Sequence, residues 1–160
     1  MSQVSIQRRG TAILGALEPR SVGSVRSLLA ELPRDYPGAE AWLRRRLDDA
    51  LHGRAECWTL AESGRVAGVV ILTPKASALK LSTIYVADRV RGRGLGSLLM
   101  DHVVERASEL GFDETYVTVA EHTVPLLRPL LDSRAFTLTA LEKHRYGRDR
   151  HEAVFSRLAS

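Results

Sequence analysis

The segment Arg91-Gly92-Arg93-Gly94-Leu95-Gly96-Ser97 gathers residue types that suit one kind of chemistry, the capture of an anion. Closely spaced glycines let the main chain approach a ligand. The unpaired N–H groups of a following helix, with the helix dipole behind them, attract negative charge. Arg91 and Arg93 would add charge-assisted hydrogen bonds to phosphate oxygens, so phosphate is the expected anion. Better-known phosphate motifs do not fit. A Rossmann fingerprint needs glycine or alanine where Ser97 stands, and a Walker loop needs a lysine that this segment lacks. An Arg-Gly-Arg hook for a minor groove is extended, whereas this segment runs into a strong helical stripe. A plain glycine turn without a ligand satisfies the glycine spacing equally well.

The elements that position this turn follow from apolar periodicity. Strands are predicted over residues 11–18, 56–62, 66–73, 79–86, 114–120, 136–141 and 152–158, and helices over 21–32, 39–51, 94–110 and 123–133. Ser63-Gly64 makes a hairpin of the second and third strands. The helix after the glycine turn is the strongest, with Leu95, Leu98, Leu99, Val103, Ala107 and Leu110 on its inner stripe and Gly111 as its stop. Antiparallel hairpins thus flank one β-α-β crossover. That order gives a mixed α/β (α+β) fold, a mostly antiparallel sheet of about seven strands with helices packed on it. A ligand belongs at the crossover, where the strand before the helix must part from the strand after it.

Composition bounds the rest. The 160 residues, 44% apolar and 26% charged, fit one domain with one core over 1–160. A lone cysteine, Cys57, and the lack of Cys/His clusters at zinc-ligand spacing argue against a disulfide scaffold or a metal site, and for a reducing cytoplasm. The N-terminus has no apolar leader core, and the apolar runs are too short to span a membrane, so no membrane association is expected. Net charge is +4, and 20 of the 23 basic side chains are arginine. The surplus lies in residues 1–80, which hold 12 basic and 8 acidic side chains. Codon bias accounts for it, and a polyanionic partner is the alternative.

The pattern Arg-x-x-Gly-x-Gly at Arg91, Gly94 and Gly96 follows Ile84-Tyr85-Val86 after four intervening residues. It resembles motif A of the GNAT superfamily of acetyl-CoA-dependent N-acetyltransferases. The element order resembles theirs over nearly all of residues 11–158. The resemblance implies a sheet splayed between its fourth and fifth strands. It also implies acetyl-CoA as cosubstrate, held at the pyrophosphate by the main chain of residues Arg91, Gly92, Arg93, Gly94, Leu95, Gly96 and Ser97. Ile84, Tyr85 and Val86 would then bind the pantetheine arm and polarise the acetyl carbonyl. The acceptor would be a primary amine of a small molecule or protein, and a homodimer is compatible. The run Lys80-Leu81-Ser82-Thr83 is similar to that of a poorly characterised bacterial subgroup.

Two departures matter. Family members that modify lysine side chains carry a glutamate base where this chain has Lys80, and many place a tyrosine acid where it has Leu131. Glu121 and His122, at the end of the strand that parts from the glycine-turn strand, and His144 or Tyr146 in the last hairpin are the candidates for proton transfer. Glu121 and His122 could instead cap the next helix. The resemblance also places the acceptor pocket at the loop between the first two helices and at the last hairpin. Its candidates are Arg34, Asp35, Tyr36, Trp42, Lys143, His144, Arg145 and Tyr146. Trp42 could equally be core. Lys80 and Ser82 share a strand face that could border the cleft, with Glu62 a possible partner for Lys80. Two rival readings keep the fold: a toxin that acetylates aminoacyl-tRNA, for which nucleic acid would be the partner, and a non-catalytic acyl-CoA-binding module.

Overall fold

A computed structural model describes residues 7–30, 38–143 and 151–159, with side chains from residue 10 onward. In chain order the elements are β1 (Gln7–Arg9), β2 (Ala12–Ala16), α1 (Val22–Leu29), α2 (Ala39–Leu51), β3 (Glu56–Glu62), β4 (Arg65–Pro74) and β5 (Ala78–Val86). They continue with α3 (Leu95–Leu110), β6 (Glu114–Ala120), α4 (Val124–Asp132), β7 (Thr137–Lys143) and β8 (His151–Leu158). The strands form one sheet in the order β1-β2-β3-β4-β5-β6-β8-β7. All neighbours are antiparallel except β5 and β6, which the α3 crossover joins in parallel.

This is the mixed sheet that the apolar pattern predicts, with one addition. Gln7–Arg9 pairs with the edge of β2 through a turn at Gly10, whose φ is +60°. Nothing apolar alternates in Gln7–Arg9, so the pattern carries no sign of it. At Ser63-Gly64 both residues have positive φ, +52° and +76°, which matches the right-handed twist of the strands it joins.

Both sheet faces are covered. Eight consecutive residues of β4, from Val66 to Thr73, are buried, and α1 and α3 both pack on that strand. The α3 face is marked by Trp58, whose ring meets His102 edge-on at 4.2 Å, and by Gly68, where an added Cβ would stand 3.4 Å from the Leu99 side chain. Cross-strand partners share a face, so Trp58, Val70, Leu72, Leu81 and Ile84 all look toward α3. The other face, with Val69, Ile71 and Thr73, is left to α1 and α2. Arg106 ties α3 down from the edge. Its Nε donates to Glu56 Oε1 at 2.8 Å, a second nitrogen donates to Oε2, and its guanidinium lies 5.5 Å from the Trp58 ring centroid. Among the described residues no helix is long and apolar enough to cross a membrane.

Candidate active-site cleft

The parallel ladder between β5 and β6 runs from Ala78 opposite Glu114 to Leu81 opposite Val117 and stops there. Beyond that point each strand follows its other neighbour. β5 stays on β4 as far as Val86 opposite Gly68, and β6 stays on β8 as far as Ala120 opposite Glu152. A β-bulge sits at the point of parting, because Leu72 pairs with Leu81 while Ile71 pairs with Thr83, leaving Ser82 as the extra residue. The bulge shifts the alternation by one residue, so Leu81 and Ile84 share a face despite odd spacing. It is pinned by a 2.7 Å hydrogen bond between the Ser82 and Thr73 hydroxyls.

The parting opens a cleft of about 320 Å³. Leu81 to Ile84 form one wall, Val117 to Ala120 with His122, Thr123 and Leu127 the other, and α1 and α2 roof it with Arg26, Leu29, Ala30, Ala39, Glu40, Trp42 and Leu43. Past Leu81 and Val117 the facing strand edges present main-chain N–H and C=O groups that a closed ladder would consume. Trp42 is half-buried in this roof, with Arg46 6.0 Å from its ring centroid. Arg26 and Glu40 face each other from the two helices at 3.8 Å. The periodicity of α1 and α2 marks their apolar stripes but gives no sign that these two polar residues meet over the cleft.

The glycine turn lies beyond the end of β5. Gly92 and Gly94 have φ of +80° and +76°, a region that side-chain-bearing residues adopt at a cost. Leu98 N–H donates to Gly94 C=O at 3.1 Å, so the α3 ladder begins there and the N–H groups of Leu95, Gly96 and Ser97 precede it. No acidic residue occupies the first turn and no side chain caps it. Gly96 serves packing instead, since an added Cβ would stand 3.3 Å from Leu130 of α4. Both arginines are held by the protein. Arg91 donates to the Val86 carbonyl at 3.1 Å, pairs with Asp88 at 2.6 Å and lies 5.4 Å from the Tyr85 ring centroid. Arg93 spans both Glu62 oxygens, with Nη1 2.9 Å from Oε1. Hydrogen bonds from Arg93 and then Thr11 hold the Glu62 carboxyl below the usual carboxylate range.

Glu62 is thus engaged by the turn, at the hairpin end of β3. Lys80 lies toward the other end of the sheet, opposite Thr73 and Tyr116. Glu121 and His122 are exposed on a short 3-10 turn, and neither caps α4. Thr123 Oγ1 closes that turn by donating to the Ala120 carbonyl at 2.8 Å. The cleft takes in His122, Trp42 and Ser82, while Glu121 and Lys80 are not part of its wall. Leu131, at the position where the family resemblance would put a tyrosine acid, is packed into the core. Arg34, Asp35, Tyr36, His144, Arg145 and Tyr146 lie outside the described residues.

A strand pair that opens beside an uncapped, glycine-led helix start suits a ligand with an anionic head and a slender arm. The comparisons with known proteins agree with that geometry. The model of the acetyltransferase (GNAT) family matches residues 24–128, and the chain belongs to this family. No curated protein sequence matches it. Among solved structures it resembles a GNAT-family protein from Desulfovibrio desulfuricans, with a TM-score of 0.81 at 17% identity over 93% of this chain and 99% of that one. The ribosomal-protein-S18-alanine N-acetyltransferase of Escherichia coli gives 0.78 at 16% identity, over 93% and 94%. A GNAT-family acetyltransferase from Elizabethkingia anophelis, solved with acetyl-CoA bound, gives 0.67 at 14% identity, over 98% and 97%.

Proposed function

We propose that the chain is a single N-acetyltransferase domain that moves an acetyl group from acetyl-CoA to a primary amine. The observation that carries this reading is the parting of β5 from β6 at Leu81 and Val117, directly before the glycine turn that starts α3. Acetyl-CoA would supply an activated acetyl thioester. The N–H groups of Gly92 to Ser97 would hold its pyrophosphate, with Arg91 and Arg93 beside them. The opened edge of β5, from Ser82 to Val86, would receive the pantetheine arm and offer an N–H to the acetyl oxygen where negative charge develops.

The acceptor would enter under α1 and α2, against Trp42, Leu43 and Ser82. An alkylamine has a pKa near 10, so it arrives protonated and must give up a proton before it can attack. His122, on the cleft wall, would carry a proton to the departing sulfur, with Glu121 beside it and Tyr146 a further candidate. Acetyl-CoA and a panel of primary amines, followed by thiol release, test the reading. Turnover with at least one amine is expected. Binding of acetyl-CoA without thiol release above background for any amine would sink the enzyme and leave a CoA-binding module.

A further inference from the structure

Removal of the acceptor's proton needs a base on the acceptor side of the cleft. Neither side chain considered for that role on the β6 turn is withdrawn from solvent, since both Glu121 and His122 are exposed. Among the described residues one carboxylate is buried: Glu152, at 4% exposure. A buried carboxylate is expensive to keep and needs charged or hydrogen-bonding company. Glu152 is not isolated where it lies.

Its place follows from register. Glu152 stands opposite Ala120, the last residue of β6, one strand behind the cleft wall that Ala120 and Thr118 form. The alternate residues of β8, Ala153 and Phe155, face the other way, and Arg128 of α4 lies 5.8 Å from the Phe155 ring centroid. Glu152 therefore projects on the same sheet face as Thr118 and Ala120, the face that α1 and α2 cover. Cross-strand Cβ atoms lie about 5 Å apart, which a glutamate side chain spans. The charged and titratable groups nearest it by register are Glu142 opposite it on β7, Lys143 and His151 one residue along, and Glu121 and His122 after β6; Arg26 and Glu40 of the roof face the cleft that Ala120 lines.

We infer that Glu152 receives the acceptor's ammonium group and takes its proton. The inference rests on the acetyltransferase reading for the step that follows. One proton passes from nitrogen to the Glu152 carboxylate. The freed amine forms the C–N bond at the acetyl carbon, the C–S bond breaks with its electron pair on sulfur, and the thiolate takes the second proton that nitrogen loses. Glu152 then returns its proton to water.

The test has a binding arm without acetyl-CoA and a turnover arm with it. Isopentylamine, phenethylamine and tryptamine, suited to a mostly apolar roof, are titrated calorimetrically against their matched alcohols. The wild type should prefer at least one amine by about tenfold. Glu152→Gln should erase that preference while acetyl-CoA affinity and Tm stay unchanged, and Glu152→Asp should keep part of it. In thiol release with the same amines, Glu152→Gln should lose about a hundredfold in kcat and the acid limb of its pH profile, within the range of general-base effects. No amine preference in the wild type, or one that survives in Glu152→Gln, overturns the proposal even if turnover is normal. A preference that depends on Glu152 but is accompanied by no thiol release overturns the acetyltransferase reading and leaves an ammonium site.

Discussion

On the proposed function, the β5 side of the cleft would work chiefly through main-chain atoms from one continuous stretch, Leu81 to Ser97, with the Ser82 side chain as the exception. The roof and the opposite wall are built from side chains of α1, α2, β6, the turn after it and α4, brought together from distant parts of the chain. The first kind of wall depends on backbone conformation and tolerates most side-chain changes, provided the glycines with positive φ are kept. The second kind would set which acceptor fits, and any of several distant segments could change it. On the proposed function, cofactor binding and acceptor choice would therefore have separate determinants in this chain.

That separation can be broken at either wall. The largest effect is expected from Gly94→Glu, which sets a carboxylate at the pyrophosphate position and a side chain at a φ of +76°. Acetyl-CoA affinity should fall at least a hundredfold by calorimetry while the circular dichroism spectrum stays folded; unchanged affinity would remove the glycine turn from the site. Trp42→Ala should leave the Kd for acetyl-CoA within twofold and raise the acceptor's KM about tenfold. Equal changes in both would mean the two walls are not independent.

The smallest expected effect lies away from the cleft and checks that both walls rest on the same α3 packing. His102 is fully buried against Trp58, and neither ring nitrogen has a hydrogen-bond partner among the described residues. Burial pushes its pKa below the ordinary histidine value, with Arg106 adding to the effect and Glu105, Glu109 and Glu56 opposing it. The unfolded chain then binds a proton that the folded chain refuses. Stability is full above the ordinary histidine value and is lost as pH falls from there toward the lower folded value. Tm should drop by roughly 2–4 °C across that window, and His102→Leu should flatten the dependence in thermal scans.

The fold was readable because its elements are punctuated. Gly111 ends α3 at a φ of +80°, and the strands of β3 and β6 begin and end where their apolar runs do. The glycine turn was readable for the same reason, since its chemistry is contiguous. Gly96 is the exception, a motif glycine whose small size answers to Leu130 on another helix. The roof of the cleft and the strand behind its far wall were not readable, because Arg26, Glu40 and Glu152 carry no local signal. Each is an ordinary polar residue of its element until register brings Glu152 beside Ala120 and packing brings α1 over the cleft. Ser82 shows the limit within one strand: its bulge depends on pairing with β4, which no alternation of β5 alone encodes.

The short parallel seam between Ala78–Leu81 and residues 114–117 has a consequence for assembly. Strands β3, β4 and β5 pair as successive hairpins, whereas the seam, like the β2–β3 pairing across α1 and α2, needs the helical segment between its strands in place before it can close. The cleft therefore comes into being only when a joint between sequence-distant strands closes. A ligand that touches both walls binds the closed joint and not the separated slabs of sheet, so each bound molecule holds shut the seam that made room for it.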